Sequence, residues 1–151
     1  MSTSWENESI FSAAVAGKIE AVRLIIQQSR QNPVVNSVEA ESGFSMLHFA
    51  CIMGHADISE LLLDNGAEID LRDKTNETPL MKAITNLHLN AAALLITKGA
   101  NVKVKDDFGR TCLHIAAGKG SLTLVEMLLE AGSVVDSKCG KGRTALSKFC
   151  C

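Results

Sequence analysis

"GRTCLHIAAGKGSLTLVEMLLEAG", residues 109–132, decides the fold because it recurs along the chain. "GFSMLHFACIMGHADISELLLDNG" at 43–66 and "NETPLMKAITNLHLNAAALLITKG" at 76–99 follow the same grammar. Leu47, Leu80, Leu113 and Leu146 stand 33 residues apart, and Gly66, Gly99 and Gly132 keep the same step. Anchors held in constant register over most of a chain indicate stacked repeats, each too small to bury its apolar face alone.

The unit reads as turn, helix, turn, helix. A lead-in such as "DDFG" or "DKTN" supplies the residues that build tight turns. Thr78, Thr111 and Thr144, with Ser45 in the earlier unit, fall where an N-cap hydroxyl satisfies free amides, and Pro79 takes the N1 position. The first helix has small residues, Ala50, Ala83 and Ala116, where neighbouring helices approach closely, and Gly54 and Gly120 end it as left-handed C′ residues. A second helix with apolar residues at helical spacing ends at another glycine.

These stretches resemble the ankyrin-repeat family. Its consensus G-x-T-P-L-H-x-A-A-x-x-G-H-x-x-x-V-x-x-L-L-x-x-G-A is matched by Gly109, Thr111, Leu113, His114, Ala116, Ala117, Gly120, Val125, Leu128, Leu129 and Gly132. The unit before it matches at Thr78, Pro79, Leu80, Ala83, Leu94, Leu95, Gly99 and Ala100, and the one before that at Gly43, Leu47, His48, Ala50, Gly54, His55, Leu62, Leu63, Gly66 and Ala67. The resemblance implies an all-α repeat solenoid of helix-turn-helix units with short hairpin fingers. The expected organisation is one domain over 1–151: a cap repeat at about 5–38, repeats at about 40–72, 73–105 and 106–138, and a partial repeat at 139–151. Departures are visible. Four extra residues precede the second unit, Leu87 occupies a glycine site, Met81 and Ser147 replace the histidine, and the final unit stops about one turn into its first helix.

Composition narrows the function. The chain has 151 residues, 46% of them hydrophobic, with two prolines and no tyrosine, which argues against a disordered linker and against a base-stacking platform. A net charge of -2 leaves no global basic footprint, so no nucleic-acid partner is expected. The charge is polarised: six basic residues face twelve acidic ones through residue 97, and nine face five from Lys98 onward. No apolar stretch has transmembrane length, and "MSTSWENESIF" lacks the basic start and apolar run of a signal peptide. Five cysteines without framework spacing fit a reduced intracellular protein, cytoplasmic with the nucleus also compatible. The Cys150-Cys151 end resembles that of doubly prenylated trafficking GTPases, but the same positions fall in helix slots of the repeat, so no membrane role is expected.

No catalytic or metal constellation is expected, and no cofactor. His48 and His114 share a register that Met81 occupies in the unit between them, so they read as structural histidines bonded to the helix-start hydroxyl and to turn backbone. Cys51 and Cys112 take apolar slots, and no C-x-x-C pair is present.

The resemblance implies instead a non-enzymatic binding module, an adaptor whose concave face is made by finger tips and first helices. The alternative is the N-terminal regulatory or targeting domain of a larger enzyme, such as a kinase, a GTPase-activating protein or an acyltransferase. Repeat positions on the concave face give Trp5, Phe44, Ile52, Met53, Glu77, Asn86, Phe108, Arg110, Lys119, Lys141 and Arg143 as candidate partner-binding residues. The apolar members are candidate anchors. Arg110, Lys119, Lys141 and Arg143 are expected to form a basic patch toward the C-terminal end, which suits a partner peptide with an apolar segment and an acidic end.

Overall fold

The structure, a computed structural model, describes residues 10–29 and 34–149. Helices alternate in two rows. The first helices are α1 (Ile10–Val15), α3 (Met46–Met53), α5 (Pro79–Thr85), α7 (Cys112–Lys119) and α9 (Ala145–Phe149). The second helices are α2 (Ile19–Gln28), α4 (Ala56–Asp64), α6 (Leu89–Thr97) and α8 (Leu122–Glu130). Each of α1, α3, α5 and α7 packs on the next first helix and on its own second helix, so the core runs as one continuous seam between the rows. Ala50, Ala83 and Ala116 are fully buried where first helices meet. Among the described residues the only sheet pairing is an isolated Val38–Ser45 bridge, so the fingers are turns rather than strands.

Helix starts follow the hydroxyl pattern. The Ser45 side chain accepts from the His48 amide and that of Thr78 from the Met81 amide, with Pro79 in the first turn of α5. Gly54 and Gly120 are left-handed at φ 77° and 69°.

Fingers are joined by backbone. The amides of Lys74, Asp107 and Gly140 donate to the carbonyls of Ser42, Thr75 and Phe108, one bond per junction at 3.2, 3.1 and 2.8 Å. Within a finger the turn closes on an aspartate. Asp73 Oδ1 accepts from the amides of Thr75 and Glu77, and Asp106 Oδ1 from those of Phe108 and Arg110. The four-residue insertion is absorbed before the second finger by a short 3-10 turn at Val34–Asn36, and the Asn36 side chain bonds Gly66 and Glu68 of the next turn.

Leu87 has a neighbour-dependent explanation. It takes φ 58° at the site where the preceding units have glycine, a conformation that costs an L-residue about 1–2 kcal/mol. In those units glycine is demanded by space as well. A Cβ on Gly17 would lie 2.9 Å from the His55 ring and one on Gly54 2.6 Å from the His88 ring. The register places Ser121, not histidine, over Leu87. The clash is absent there, and only the backbone strain remains. Leu87→Gly is therefore expected to raise stability by about 0.5–1 kcal/mol after the added freedom of the unfolded chain is subtracted. Ser121→His should destabilise the parent and be tolerated together with Leu87→Gly, with a coupling of about 1 kcal/mol or more in a denaturation double-mutant cycle.

Candidate functional site

The residues with chemical potential are mostly occupied by the fold. His48 Nδ1 accepts from the Ser45 amide at 3.2 Å, and its Nε2 faces the Glu77 carbonyl at 3.2 Å, so the proton sits on Nε2. His114 repeats this with the Thr111 amide and the Arg143 carbonyl, at 3.2 and 3.0 Å. Both rings are fully buried and tie one unit to the next finger. His55 Nε2 and His88 Nε2 likewise bond the carbonyls of Val15 and Ile52 in the preceding unit. Burial pushes the Cys51 and Cys112 thiols up to about 12, which keeps them protonated and unreactive. Among the described residues no group of histidine, cysteine, aspartate and glutamate could hold a metal ion.

Burial also lowers the His48 pKa below its ordinary 6.5, against the pull of the Glu77 carbonyl and the Asp73 charge. A pKa depressed by folding gives stability that is complete above the unfolded value and lost as pH falls from there through the folded value. Urea titrations at about pH 7.5 and about pH 5.5 should show a larger acid loss for the parent than for His48→Met, which installs the side chain of the Met81 register.

An ion network joins the third and fourth fingers, and it was not foreseen. Lys82 reaches up from α5 to Asp73 Oδ2 at 2.8 Å and to the Glu77 carboxylate, with its ammonium 4.8 Å from the Phe44 ring centre. Arg110 bonds Asp106 Oδ2 at 2.7 Å and lies 3.5 Å from Glu77. Burial works against the charged form of Asp73, but the Lys82 ammonium and the turn amides outweigh it and hold the carboxyl below its usual range. The Lys82 ammonium is raised in return, with burial again opposing. The signal in the sequence was register: Lys82 aligns with Phe49 and Ile115, a slot that is otherwise apolar.

The candidate partner-binding residues fall in three rows that the repeat register generates. Phe44, Glu77, Arg110 and Arg143 form one; Phe108 and Lys141 follow Ser42 and Thr75 in a second; Met53, Asn86 and Lys119 form a third at the ends of the first helices, beside half-buried Ile52. Along each row the character moves toward basic. Trp5 lies outside the described residues.

Two expectations need correction. Phe44 is not a free anchor: its ring stacks on His48 at 5.7 Å and meets Phe49 edge-on at 5.4 Å. Arg110 is not a free member of the basic patch, because Asp106 and Glu77 hold it. Asn86 is exposed, but its side chain already bonds the Lys82 carbonyl, and the Glu77 carboxylate belongs to the ion network. Of the candidates, Met53 at 45% and Phe108 at 65% exposure are the large apolar side chains that face solvent. Phe108, Arg110, Lys141 and Arg143 come together around a groove of about 880 Å³ between the last two fingers, while Lys119 is exposed at the end of α7.

The model of the family described as ankyrin repeats (3 copies) matches residues 3–73 and 67–139. The chain belongs to the ankyrin-repeat family. Among its relatives are a probable E3 ubiquitin-protein ligase, XBOS33, from Oryza sativa subsp. japonica, 35% identical over 56% of this chain and 16% of the relative. The ankyrin repeat-containing protein P1E11.10 of Schizosaccharomyces pombe is 31% identical over 53% of the chain and 36% of its own length. A transient receptor potential cation channel subfamily A member 1 homolog of Caenorhabditis elegans is 32% identical over 52% of the chain, but only 6% of the channel. The matched stretch thus covers well under two thirds of each relative. Ankyrin arrays are interaction modules, generally non-catalytic, and this array is built as one. No helix among the described residues is long and apolar enough to cross a membrane.

Proposed function

We propose that this ankyrin array is a non-enzymatic adaptor domain that binds a partner protein on the concave face formed by finger tips and first helices. The observation that supports the reading is the exposure of Met53 and Phe108 on that face, in a protein whose histidines are bonded to its own backbone. Exposed apolar side chains at the centre of a polar face are what protein interfaces use as anchors. The polarity of the rows suits a partner segment that is apolar toward one end and acidic toward the other. Free thiols at Cys51 and Cys112, both buried, suit a reducing, intracellular setting.

The test is affinity capture from cell extract with three baits: the parent, Met53→Ala/Phe108→Ala, and Glu126→Lys on the second-helix side. Phe44 is left intact because its ring is packed. Proteins held by the parent and by Glu126→Lys, but lost from the folded Met53→Ala/Phe108→Ala bait, support the concave face. Identical sets on all three baits remove it.

A second reading, the array as the recognition part of a larger enzyme, is favoured by relatives that are named as E3 ligases and far exceed the matched stretch. The length of the encoded reading frame separates the two.

A further inference from the structure

The groove between the last two fingers is more specific than the face it belongs to. It is lined by Phe108, Arg110, Gly140, Lys141 and Arg143, with Lys105 at its edge. Its shape is fixed by backbone. Gly140 donates to the Phe108 carbonyl at 2.8 Å, and a Cβ added to Gly140 would fall 2.9 Å from that oxygen. A Cβ on Gly109 would fall 2.8 Å from the Gly140 nitrogen. Neither position can therefore carry a side chain while the fingers stay this close. The Phe108 ring is 65% exposed, yet one side is braced by the Arg110 guanidinium at 4.9 Å, which two carboxylates hold in turn.

The charges on the groove are unequal in availability. Of its carboxylates, Asp106 is held by Arg110 and by the turn amides, whereas exposed Asp107 accepts the Asn76 side chain on Oδ1 at 2.7 Å and pairs with no cation among the described residues, so an acidic ligand must seat away from it. Lys141 and Arg143 are exposed and make no ion pair among the described residues. What the groove offers a partner is a braced aromatic face beside two cations.

We propose that this groove binds a short acidic segment of a partner protein, with an apolar or aromatic side chain seated on Phe108 and carboxylates paired with Lys141 and Arg143. The proposal rests on the concave-face reading and deepens it. A peptide is favoured over a nucleic acid because the cationic stretch is brief. The first of these rows continues into Phe44, with Glu39 and Glu41 beyond, where a long polyanion would meet carboxylates.

The probe is a fluorescein-labelled Glu-Asp-Glu-Trp-Asp-Glu peptide, followed by anisotropy on the full chain. The comparisons are the same peptide with Gly for Trp, one with Lys for every acid, and a labelled oligothymidylate. The acidic Trp peptide is expected to bind with a Kd on the order of 10–100 µM. The Gly peptide should be about tenfold weaker, and the Lys peptide should show no saturation. Phe108→Ala should weaken the Trp peptide to the level of the Gly peptide while leaving the Gly peptide unchanged. Lys141→Glu/Arg143→Glu should weaken it at least about tenfold and remove its salt dependence; the Arg143 contact with His114 is through backbone and survives. Met53→Ala, outside the groove, should have no effect. Equal binding of acidic and Lys peptides, indifference to both groove variants, or tighter binding of the oligothymidylate would each overturn the proposal. If the acidic peptide fails while capture still depends on Met53 and Phe108, the groove assignment falls and the concave-face reading stands. If capture is indifferent but the peptide result holds, it is the wider reading that falls.

Discussion

Lys82→Met is expected to lower stability by about 3 kcal/mol, far more than a charge at the surface of a repeat protein normally contributes. The Asp73 side chain is 1% exposed and the Lys82 side chain 13%, so removal of the ammonium leaves a buried carboxylate with donors on Oδ1 but no cation on Oδ2. Glu77 loses a cation in the same stroke and keeps the longer contact to Arg110 and the Thr75 hydroxyl. The sign of the pH dependence follows. Asp73 is depressed below 3.8, so its contribution is present above that value and lost as pH falls through the folded value. Lys82 is raised above 10.5, so its contribution is present below 10.5 and lost as pH rises through the folded value. The penalty measured by urea denaturation should be level from about pH 5 to about pH 9 and shrink in acid. Asp73→Asn combined with Lys82→Met should cost less than the sum of the two single changes. A penalty below about 1 kcal/mol would mean that the pair behaves as an exposed one.

Leu80→Ala should cost about 3–4 kcal/mol, whereas Leu146→Ala, at the same register, should cost under about 1 kcal/mol. Leu80 is fully buried between α5 and its neighbours, so truncation leaves a cavity in the continuous seam. Leu146 is 57% exposed, because α9 has no second helix packed against it among the described residues. Thermal or urea denaturation of the two variants distinguishes them directly, and equal costs would show that the last unit is packed like the others.

The same pair of leucines shows where the sequence was legible. A 33-residue register reports which residues occupy equivalent places, so helix starts, left-handed glycines, the small residues between helices and the structural roles of His48 and His114 could all be read. Register does not report what stands in the next unit. Leu146 has the register of a core residue without its neighbours. Arg110 has the register of a binding residue, but Glu77, one unit earlier, engages it. Lys82 was missed for the converse reason: a cation in an apolar slot is informative only once two carboxylates on the adjoining finger are known to converge on it. In the candidate site, exposure separated Phe108 and Met53 from Phe44, a distinction that no one-dimensional pattern carries.

The histidine that sits over the preceding unit's glycine makes the order of units directional. Deletion of residues 73–105 would bring Ser121 over Gly54, a small side chain over open space, and the shortened array would close. Tandem duplication of the same residues would bring the copy's His88 over the original Leu87, where a side chain already fills the space that the ring needs. Recombination that removes this unit therefore meets no such clash, whereas recombination that repeats it adds the cost of a ring over Leu87, so at this point the array shrinks more readily than it grows.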